Sequence, residues 1–198
     1  MEPEVQPTTT PKDDIWRFFA ELIKTFLIVL VVVYSLRLFV VQPFIVEGSS
    51  MFPRFHNNDY LLVDKLTYRF ETPKRGDIIV FRYPGDLSVN YVKRIIGFPG
   101  ETVRIEGGKV SIINAANPSG LSLNEPYING GAETLVNNSE VRRDFIVPDD
   151  EYFVLGDNRP ASSDSREWSF LPKQDIIGRV VIQAYPFDRV HLVETPSY

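Results

Sequence analysis

The longest apolar stretch of the chain lies near its N-terminus, between residues 18 and 41. Its centre, residues 25–36, carries no charged side chain, and Lys24 and Arg37 flank this centre. A helix needs about 20 largely apolar residues to cross a bilayer, and basic side chains near its ends can reach the interfaces. The pattern predicts one transmembrane helix over residues 18–41. The polar, Pro- and Thr-rich residues 1–17 before it are expected to form a disordered tail.

Two other interpretations of the apolar segment compete with a membrane anchor. A cleaved signal peptide would have a shorter apolar region and an exit of the Ala-x-Ala type, whereas residues 40–44 read Val-Val-Gln-Pro-Phe. A buried core helix is the second alternative, although this segment is apolar on every face. The basic residues Lys12, Arg17 and Lys24 favour a cytoplasmic N-terminus, with residues 42–198 outside the cytoplasm.

Beyond Pro43 the chain changes to short runs of β-branched and aromatic residues, separated by turn signals such as Tyr-Pro-Gly-Asp at residues 83–86. Many short strands with frequent turns are typical of a β-rich sandwich or barrel-like domain, not of a βαβ protein. Residues 114–139 are rich in Asn, Gly, Ser and Pro and are expected to form a long loop or loose hairpin. Strands are predicted at residues 60–63, 77–81, 91–96, 102–105, 109–113, 152–155 and 176–182.

The composition narrows the possible chemistry. The chain of 198 residues has no cysteine, which excludes disulfides, a cysteine nucleophile and thiolate metal sites. Its net charge of −5, without a run of basic residues, argues against nucleic acid as a partner. His56 and His191 are the two histidines, so a Ser-His-Asp triad stays possible, but neither stands in a recognisable catalytic context.

A serine and a lysine beyond the apolar segment could form a hydrolytic pair. Ser50 lies in a Gly-Ser-Ser turn whose backbone N–H groups could stabilise an oxyanion. Lys93 lies in a predicted strand with Tyr91 and Ile95 on the same face, which makes it a candidate for burial. Burial lowers the pKa of an amine and so favours a neutral base. Each residue also has an ordinary alternative: a linker for Ser50 and a surface lysine for Lys93.

A dense polar loop, residues 156–166, follows the predicted strand at 152–155. Asp and Ser side chains stabilise such turns, and an Asp–Arg pair can hold a loop together. A solvated surface loop is one alternative. A metal loop is another, because Asp157, Asn158 and Asp164 offer oxygen ligands, but the EF-hand spacing and its final glutamate are missing. We therefore expect no metal.

These segments together resemble the type I signal peptidases of bacteria, the membrane-anchored Ser/Lys proteases of peptidase family S26. One such segment alone is weak evidence for the family, whereas all of the segments together, in the order in which the family has them, are specific evidence. The resemblance extends from the apolar helix to about Arg179. The matching segments are Gly48-x-Ser50-Met51-x-Pro53, residues 58–65, 75–81 and 93–101, and Gly156-Asp157-Asn158-Arg159 with Asp164-Ser165-Arg166.

The resemblance implies that Ser50, directly before Met51, is the nucleophile and that Lys93 is the general base. It implies an oxyanion hole built from backbone N–H groups of Ser50 and Gly48, with neither metal nor organic cofactor. Some members carry a serine at the position of Gly48, and its hydroxyl adds to the hole. In this chain the hole would rest on the Ser50 N–H, together with that of Gly48 or a water.

The resemblance also implies supporting residues in the polar loop. The orienting serine of the family, which hydrogen-bonds the lysine, falls on Ser162. Asp157, Asp164 and Arg166 are implied as structural support, with Asp164 and Arg166 as an ion pair. Arg54 stands where the family usually has Thr or Ser, which affects local packing. The implied fold is a compact, mainly β catalytic domain without a large insertion, anchored by one transmembrane helix.

The predicted function is therefore that of a membrane-bound serine endopeptidase that removes N-terminal signal peptides from exported preproteins. The cleavage region is expected to bind extended beside an exposed strand, with small residues one and three positions before the scissile bond. The expected partners are preprotein signal peptides, the lipid bilayer and the nearby protein-export machinery. The expected location is the inner (plasma) membrane, with an internal thylakoid-type membrane as the alternative.

Three alternatives to this function stay open from the sequence. One is a catalytically silent, membrane-tethered β-domain that only binds signal sequences, and the intact set of Ser50, Lys93 and Ser162 argues against it. The second is another Ser/Lys processing peptidase, such as a pilus-maturation peptidase. The third is a self-cleaving repressor relative, against which the anchor and the absence of a DNA-binding N-terminal domain argue.

Overall fold

The computed structural model describes residues 11–196 and 198. The chain divides into two compact units, one ending at Val40 and the other running from Val41 to Tyr198. The expected tail over residues 1–17 falls partly outside the described residues.

The first unit consists of one long helix, α1 (Pro11–Phe39). Pro11 occupies its first turn, where proline is tolerated, and no glycine or proline interrupts the rest of the helix. Residues Ile15–Ser35 form a stretch of 21 residues with a mean hydropathy of 2.1, all exposed, which is long and apolar enough to cross a membrane. The helix α1 begins before residue 18 and ends before residue 41, the bounds expected from the sequence. Residues 11–17, expected to belong to a disordered tail, are helical, and Val41 is the first residue of a strand.

The second unit is built on two antiparallel sheets. Within the described residues, the larger sheet has eight strands in the order β1-β2-β11-β3-β4-β9-β10, with β12 pairing with β11. Its strands are β1 (Val41–Ile45), β2 (Tyr60–Asp64), β3 (Ile78–Tyr83), β4 (Asp86–Gly97), β9 (Glu151–Leu155), β10 (Leu171–Pro172), β11 (Ile176–Tyr185) and β12 (His191–Leu192). The smaller sheet contains β5 (Thr102–Glu106), β6 (Lys109–Ile113), β7 (Leu121–Ser122) and β8 (Arg143–Ile146) in the order β7-β6-β5-β8.

Short helices and turns connect these strands. The α-helical pieces α2 (Thr67–Phe70) and α3 (Ser165–Trp168) are single turns. Short 3-10 turns lie at Asn129–Gly131, Arg159–Ala161, Lys173–Asp175 and Phe187–Arg189. Regular secondary structure in this unit is therefore dominated by strands, which confirms the predicted mainly β fold.

The hydrophobic core holds the segment around Ser50 in place. Met51 and Phe55, just after Ser50, are almost completely buried, with relative exposures of 1% and 0%. They pack in one cluster with Val46, Leu61, Val63, Ile78, Val80 and Val180. Because apolar residues on both sides of Ser50 are buried, the serine is displayed on a fixed turn rather than on a free linker.

The seven predicted strands are present as β2, β3, β4, β5, β6, β9 and β11. β4 starts at Asp86, earlier than expected, because the turn at residues 83–86 forms a tight hairpin with β3. β1 was not predicted, because its first residue belongs to the end of the apolar run. The expected loop over residues 114–139 contains the two-residue strand β7 and an isolated bridge between Val136 and Ser139.

Candidate active site

Ser50 lies on a turn that leaves the large sheet. Val46 continues the pairing of β1 with its neighbour, donating its N–H to the carbonyl of Asp59 at 2.9 Å. The chain then turns, and the Phe52 N–H donates to the carbonyl of Ser49 at 3.0 Å. The buried side chain of Met51 follows directly. Ser50 is thus held between a sheet and a core residue, with its own side chain partly exposed.

Lys93 approaches Ser50 from β4. Its side chain is buried, with a residue exposure of 3%, and its Nζ lies 2.8 Å from Ser50 Oγ. The Nζ also donates to the Val92 carbonyl at 3.0 Å and lies 5.0 Å from the centre of the Tyr91 ring. Two residues that are 43 positions apart in the sequence are therefore within hydrogen-bond distance.

The environment of Lys93 favours the neutral amine. Burial lowers the pKa of Lys93 from 10.5 to about 8, while the charges of Asp164 and Asp157 act in the opposite direction. Neither carboxylate forms an ion pair with the amine among the described residues. A lysine in this state can exchange a proton with a serine hydroxyl near neutral pH.

Ser162 does not make the hydrogen bond that the resemblance implied. Its hydroxyl is buried and has no partner within the described part of the chain, because Lys93 Nζ is directed at Ser50 and at the Val92 carbonyl. Ser162 Oγ nevertheless belongs to the site: a Cβ on Gly156 would fall 2.2 Å from it and 2.5 Å from the Ser50 carbonyl oxygen. Only glycine fits at this crossing of the serine turn and the polar loop.

Asp157 contacts Arg94, not Lys93. The Arg94 guanidinium binds both carboxylate oxygens, with Nε–Oδ1 at 2.8 Å and Nη2–Oδ2 at 2.5 Å. It also donates to the Gly76 carbonyl at 2.8 Å and lies 3.8 Å from the centre of the Tyr127 ring. This buried pair ties the start of the polar loop to the strand that carries Lys93.

Asp164 and Arg166 stabilise the other end of the polar loop. Their ion pair is present, with Arg166 Nε 2.8 Å from Asp164 Oδ1. Asp164 Oδ2 accepts the Gly156 N–H at 3.0 Å, and Arg166 donates to the carbonyls of Leu135 and Arg159. The pair therefore closes the loop on itself and joins it to the long connection before β8.

The backbone N–H of Gly48 is already engaged. It donates to Asn57 Oδ1 at 2.8 Å, whereas the Ser50 N–H has no hydrogen-bond partner among the described residues. Gly48 adopts a φ of 91°, and a Cβ built on it would meet no atom within 4 Å. In this conformation only the Ser50 N–H, of the two predicted donors, is free for an oxyanion.

Two asparagines with contacts to the site were not assigned a role from the sequence. Asn158 donates its backbone N–H to the Ser50 carbonyl and its side-chain Nδ2 to the Ser49 carbonyl, both at 3.0 Å. The Gly-Asp-Asn segment that contains Asn158 was the sequence signal that could have indicated this role. Asn57, which holds the Gly48 N–H, had no signal, because its partner lies nine positions away across a turn.

A cavity of about 560 Å³ opens beside Ser50 and Lys93. One wall comes from residues 44–50, and the other comes from residues 88–93 of β4. Within the described part of the chain, β4 pairs with β9 only from Arg94 to Gly97, so its residues 88–92 have an unpaired edge on that side. The apolar lining residues are Phe44, Ile45, Val46, Leu61, Val80, Val89, Val92 and Ala161. The cavity can hold an extended peptide against a free strand edge.

The remaining candidate chemistry lies elsewhere. His56 and His191 do not line this cavity, and His56 Nδ1 instead contacts Arg189. Within residues 11–196 and 198, no group of three or more His, Cys, Asp or Glu side chains is arranged to hold a metal ion.

Comparison with known proteins gives one consistent family. The family model described as "Signal peptidase, peptidase S26" matches residues 19–185. Signal peptidase I of Leptolyngbya laminosa is 38% identical over 206 residues, covering 99% of this chain and 94% of that protein. Probable signal peptidase I-1 of Synechocystis sp. is 38% identical, covering 88% of this chain and 86% of that protein. Signal peptidase I P of Bacillus subtilis subsp. natto is 35% identical, with coverages of 85% and 90%.

Proposed function

The chain belongs to the signal peptidase family, peptidase S26, and from this premise we propose that Ser50 and Lys93 carry out its peptide-bond cleavage. In keeping with the family, the protein is a membrane-associated serine endopeptidase that removes signal peptides from preproteins. The observation that supports our assignment best is the distance of 2.8 Å between Lys93 Nζ and Ser50 Oγ, with the amine buried.

In the acylation step, neutral Lys93 takes the proton of the Ser50 hydroxyl as Oγ attacks the carbonyl carbon before the scissile bond. The carbonyl oxygen becomes an oxyanion, and the Ser50 N–H donates a hydrogen bond to it. When the tetrahedral intermediate collapses, the C–N bond breaks, and the protonated Lys93 gives its proton to the departing amine. The signal peptide is then esterified to Ser50.

In the deacylation step, Lys93 is neutral again and takes a proton from a water molecule that attacks the ester. Collapse of the second tetrahedral intermediate returns the proton to Ser50 Oγ and releases the signal peptide as a carboxylate. The Gly48 N–H joins the oxyanion hole only if the Asn57 side chain releases it, since Asn57 Oδ1 holds it at 2.8 Å.

The supporting residues act through the polar loop. Ser162 keeps a buried hydroxyl beside the Gly156 crossing, without a hydrogen-bond partner among the described residues. Asp157 fixes the loop to β4 through Arg94, and Asp164 fixes it through the Gly156 N–H and Arg166. None of these three residues needs to touch the substrate for this role.

The substrate lies in the cavity as an extended strand along the free edge of β4. Side chains one and three positions before the scissile bond point to the apolar lining, where Val46, Leu61 and Val80 leave room for small residues. This arrangement is consistent with the small residues that precede cleavage sites in signal peptides.

We propose that α1 anchors the chain in the membrane with its N-terminus in the cytoplasm, as the basic residues near that end favour. We assign residues 1–14 to the cytoplasmic side, the apolar stretch Ile15–Ser35 of α1 to the membrane, and the second unit, Val41–Tyr198, to the catalytic domain outside the cytoplasm. The inner (plasma) membrane is our first choice, and proximity to the protein-export machinery would present substrates as they emerge. Protease accessibility of residues 42–198 in intact cells and in spheroplasts tests the orientation.

Cleavage of a purified preprotein by the detergent-solubilised chain tests the function, with Ser50→Ala and Lys93→Ala alongside. We expect cutting after a small residue by the wild type and none by either variant. Binding of the preprotein without cutting, equal in all three chains, would contradict the proposal and support a signal-sequence-binding domain.

A further inference from the structure

The active-site cavity carries one acidic side chain, and the mechanism does not use it. Among the lining residues, Glu47 is the only carboxylate and Lys93 is the only basic side chain. Glu47 is exposed, and its carboxylate has neither a hydrogen bond nor an ion pair within the part of the chain that the structure describes. Whenever Lys93 is in the neutral form that acts as a base, Glu47 leaves the cavity with a net negative charge.

The direction of Glu47 follows from the alternation of the strand that precedes it. Phe44 and Val46 pack against the core cluster that holds Met51, whereas Ile45 and Glu47 are exposed. Successive side chains of an extended chain point to opposite faces. Glu47 therefore faces away from the apolar core on which small substrate side chains are expected to rest, while still lining the cavity.

The same alternation applies to an extended substrate. If its side chains one and three positions before the scissile bond face the apolar lining, the side chain two positions before faces the opposite way, as Glu47 does. Resting on the function proposed above, we propose that Glu47 is a specificity-determining residue that favours Lys or Arg, and disfavours Asp or Glu, two positions before the scissile bond.

The expected size of this preference follows from the solvent exposure of Glu47 and of the substrate side chain that faces it. Charges that meet at a solvent-exposed rim interact modestly, and the interaction weakens as salt is added. Replacing a lysine by a glutamate in the substrate exchanges an attraction for a repulsion. We therefore expect kcat/KM to differ by about three- to tenfold between such substrates at low ionic strength, and by less in 0.5 M salt, where the screening length is about 4 Å.

Cleavage of three peptides that differ only in Lys, Gln or Glu two positions before the scissile bond tests the proposal. The full chain in detergent is compared with Glu47→Gln, Glu47→Lys and the control Glu71→Gln, which removes an exposed carboxylate outside the cavity. We expect the Lys-to-Glu ratio of kcat/KM to fall toward one in Glu47→Gln and to invert in Glu47→Lys. The ratio should be unchanged in the control.

Two outcomes would overturn the proposal: equal cleavage of the three peptides by the wild type, or a Lys-over-Glu preference that persists in Glu47→Gln. Each of these leaves the proposed function intact, because the peptides are still cut at Ser50. Failure of the wild type to cut any of the peptides would instead contradict the proposed function, and the specificity inference with it.

Discussion

Two adjacent basic residues of β4, Lys93 and Arg94, lie in buried environments with opposite electrostatics. Arg94 is 2% exposed and binds both oxygens of Asp157, and its guanidinium packs on the Tyr127 ring. Lys93 is similarly buried, but among the described residues its amine has no paired carboxylate; it hydrogen-bonds a hydroxyl and a carbonyl and lies near the Tyr91 ring. Burial with a partner preserves a positive charge, whereas burial without one favours its loss.

The two pKa values move in opposite directions for this reason. Burial lowers the pKa of the Lys93 amine to about 8. Burial also acts to lower the pKa of the Arg94 guanidinium, but the charge and hydrogen bonds of Asp157 outweigh it, and this pKa is raised. The strand thus presents a potential base on one face and a permanent structural cation on the other.

Lys93→Arg should have the largest effect on cleavage, because it replaces the potential base by a second permanent cation. The variant keeps a positive charge but cannot act as a base, because an arginine is not deprotonated in proteins. We expect kcat/KM for signal-peptide cleavage to fall by about 10³-fold or more. The control Lys109→Arg, at an exposed position of β6, should cleave as the wild type does. Retention of a tenth of the activity by Lys93→Arg would show that another group is the base.

Arg94→Met tests the structural role of the buried pair of Arg94 and Asp157. Removing the guanidinium leaves the Asp157 carboxylate buried and unpaired, so the free energy of unfolding should fall by about 3–5 kcal/mol. Chemical denaturation of the full chain in detergent measures this loss. Adding Asp157→Asn should recover part of it, because the second change removes the unpaired charge. A loss below about 1 kcal/mol would mean that water or another cation already satisfies Asp157.

Lys93→Met should raise the free energy of unfolding at neutral pH, whereas Arg94→Met should lower it. The pKa of Lys93 is lower in the folded state than in the unfolded chain, so the unfolded chain binds the proton more readily. The lysine therefore destabilises the fold below its folded pKa of about 8, and this cost disappears as the pH rises toward 10.5. We expect Lys93→Met to raise the free energy of unfolding by about 1–3 kcal/mol at pH 7.

Denaturation curves of Lys93→Met and wild type at pH 7 and at pH 10.5 check this prediction. The gain in stability should shrink at the higher pH, where the wild-type amine is neutral in both states. A gain that is equal at the two pH values would point to better packing of the methionine rather than to the cost of a buried charge.

Asn158→Ala should give the smallest effect, because it weakens the contact between the polar loop and the turn that carries Ser50 without removing a charge. Its side chain donates to the Ser49 carbonyl, beside the nucleophile. Losing this bond should lower kcat by about three- to tenfold, with KM and stability little changed, because a single hydrogen bond contributes about 1 kcal/mol. The control Asn124→Ala, at an exposed position, should have the wild-type kcat. An unchanged kcat in Asn158→Ala would leave its backbone N–H as the only relevant contact.

The sequence predicted the elements whose pattern is local. The apolar helix and the strands β2, β3 and β11 follow from hydrophobic runs with turn signals at their ends. The two-residue strands β10 and β12 have no periodicity to detect, and they exist because they pair with longer neighbours. β1 was assigned in part to the membrane segment, because an apolar strand directly after an apolar helix gives no change of composition.

The site was predicted less completely than the fold. Ser50 and Lys93 stood out only through the resemblance of several segments, since neither residue is unusual in its local context. The failure of Ser162 to contact Lys93, and the capture of the Gly48 N–H by Asn57, depend on side-chain geometry between segments that are remote in the sequence or lie across a turn. No propensity or spacing rule specifies such contacts.

The central claim is that Lys93 is a base whose pKa is lowered by burial to about 8, so that part of it is neutral near physiological pH, and the pH dependence of kcat/KM tests this claim most directly. The measurement uses wild-type chain, pH 6 to 10, and a peptide substrate without groups that titrate in this range. We predict a rise of about tenfold per pH unit on the acidic side, levelling off near the Lys93 pKa of about 8. A rate that is constant from pH 6 to 9 would contradict the claim, because it would require a base that is already neutral at pH 6.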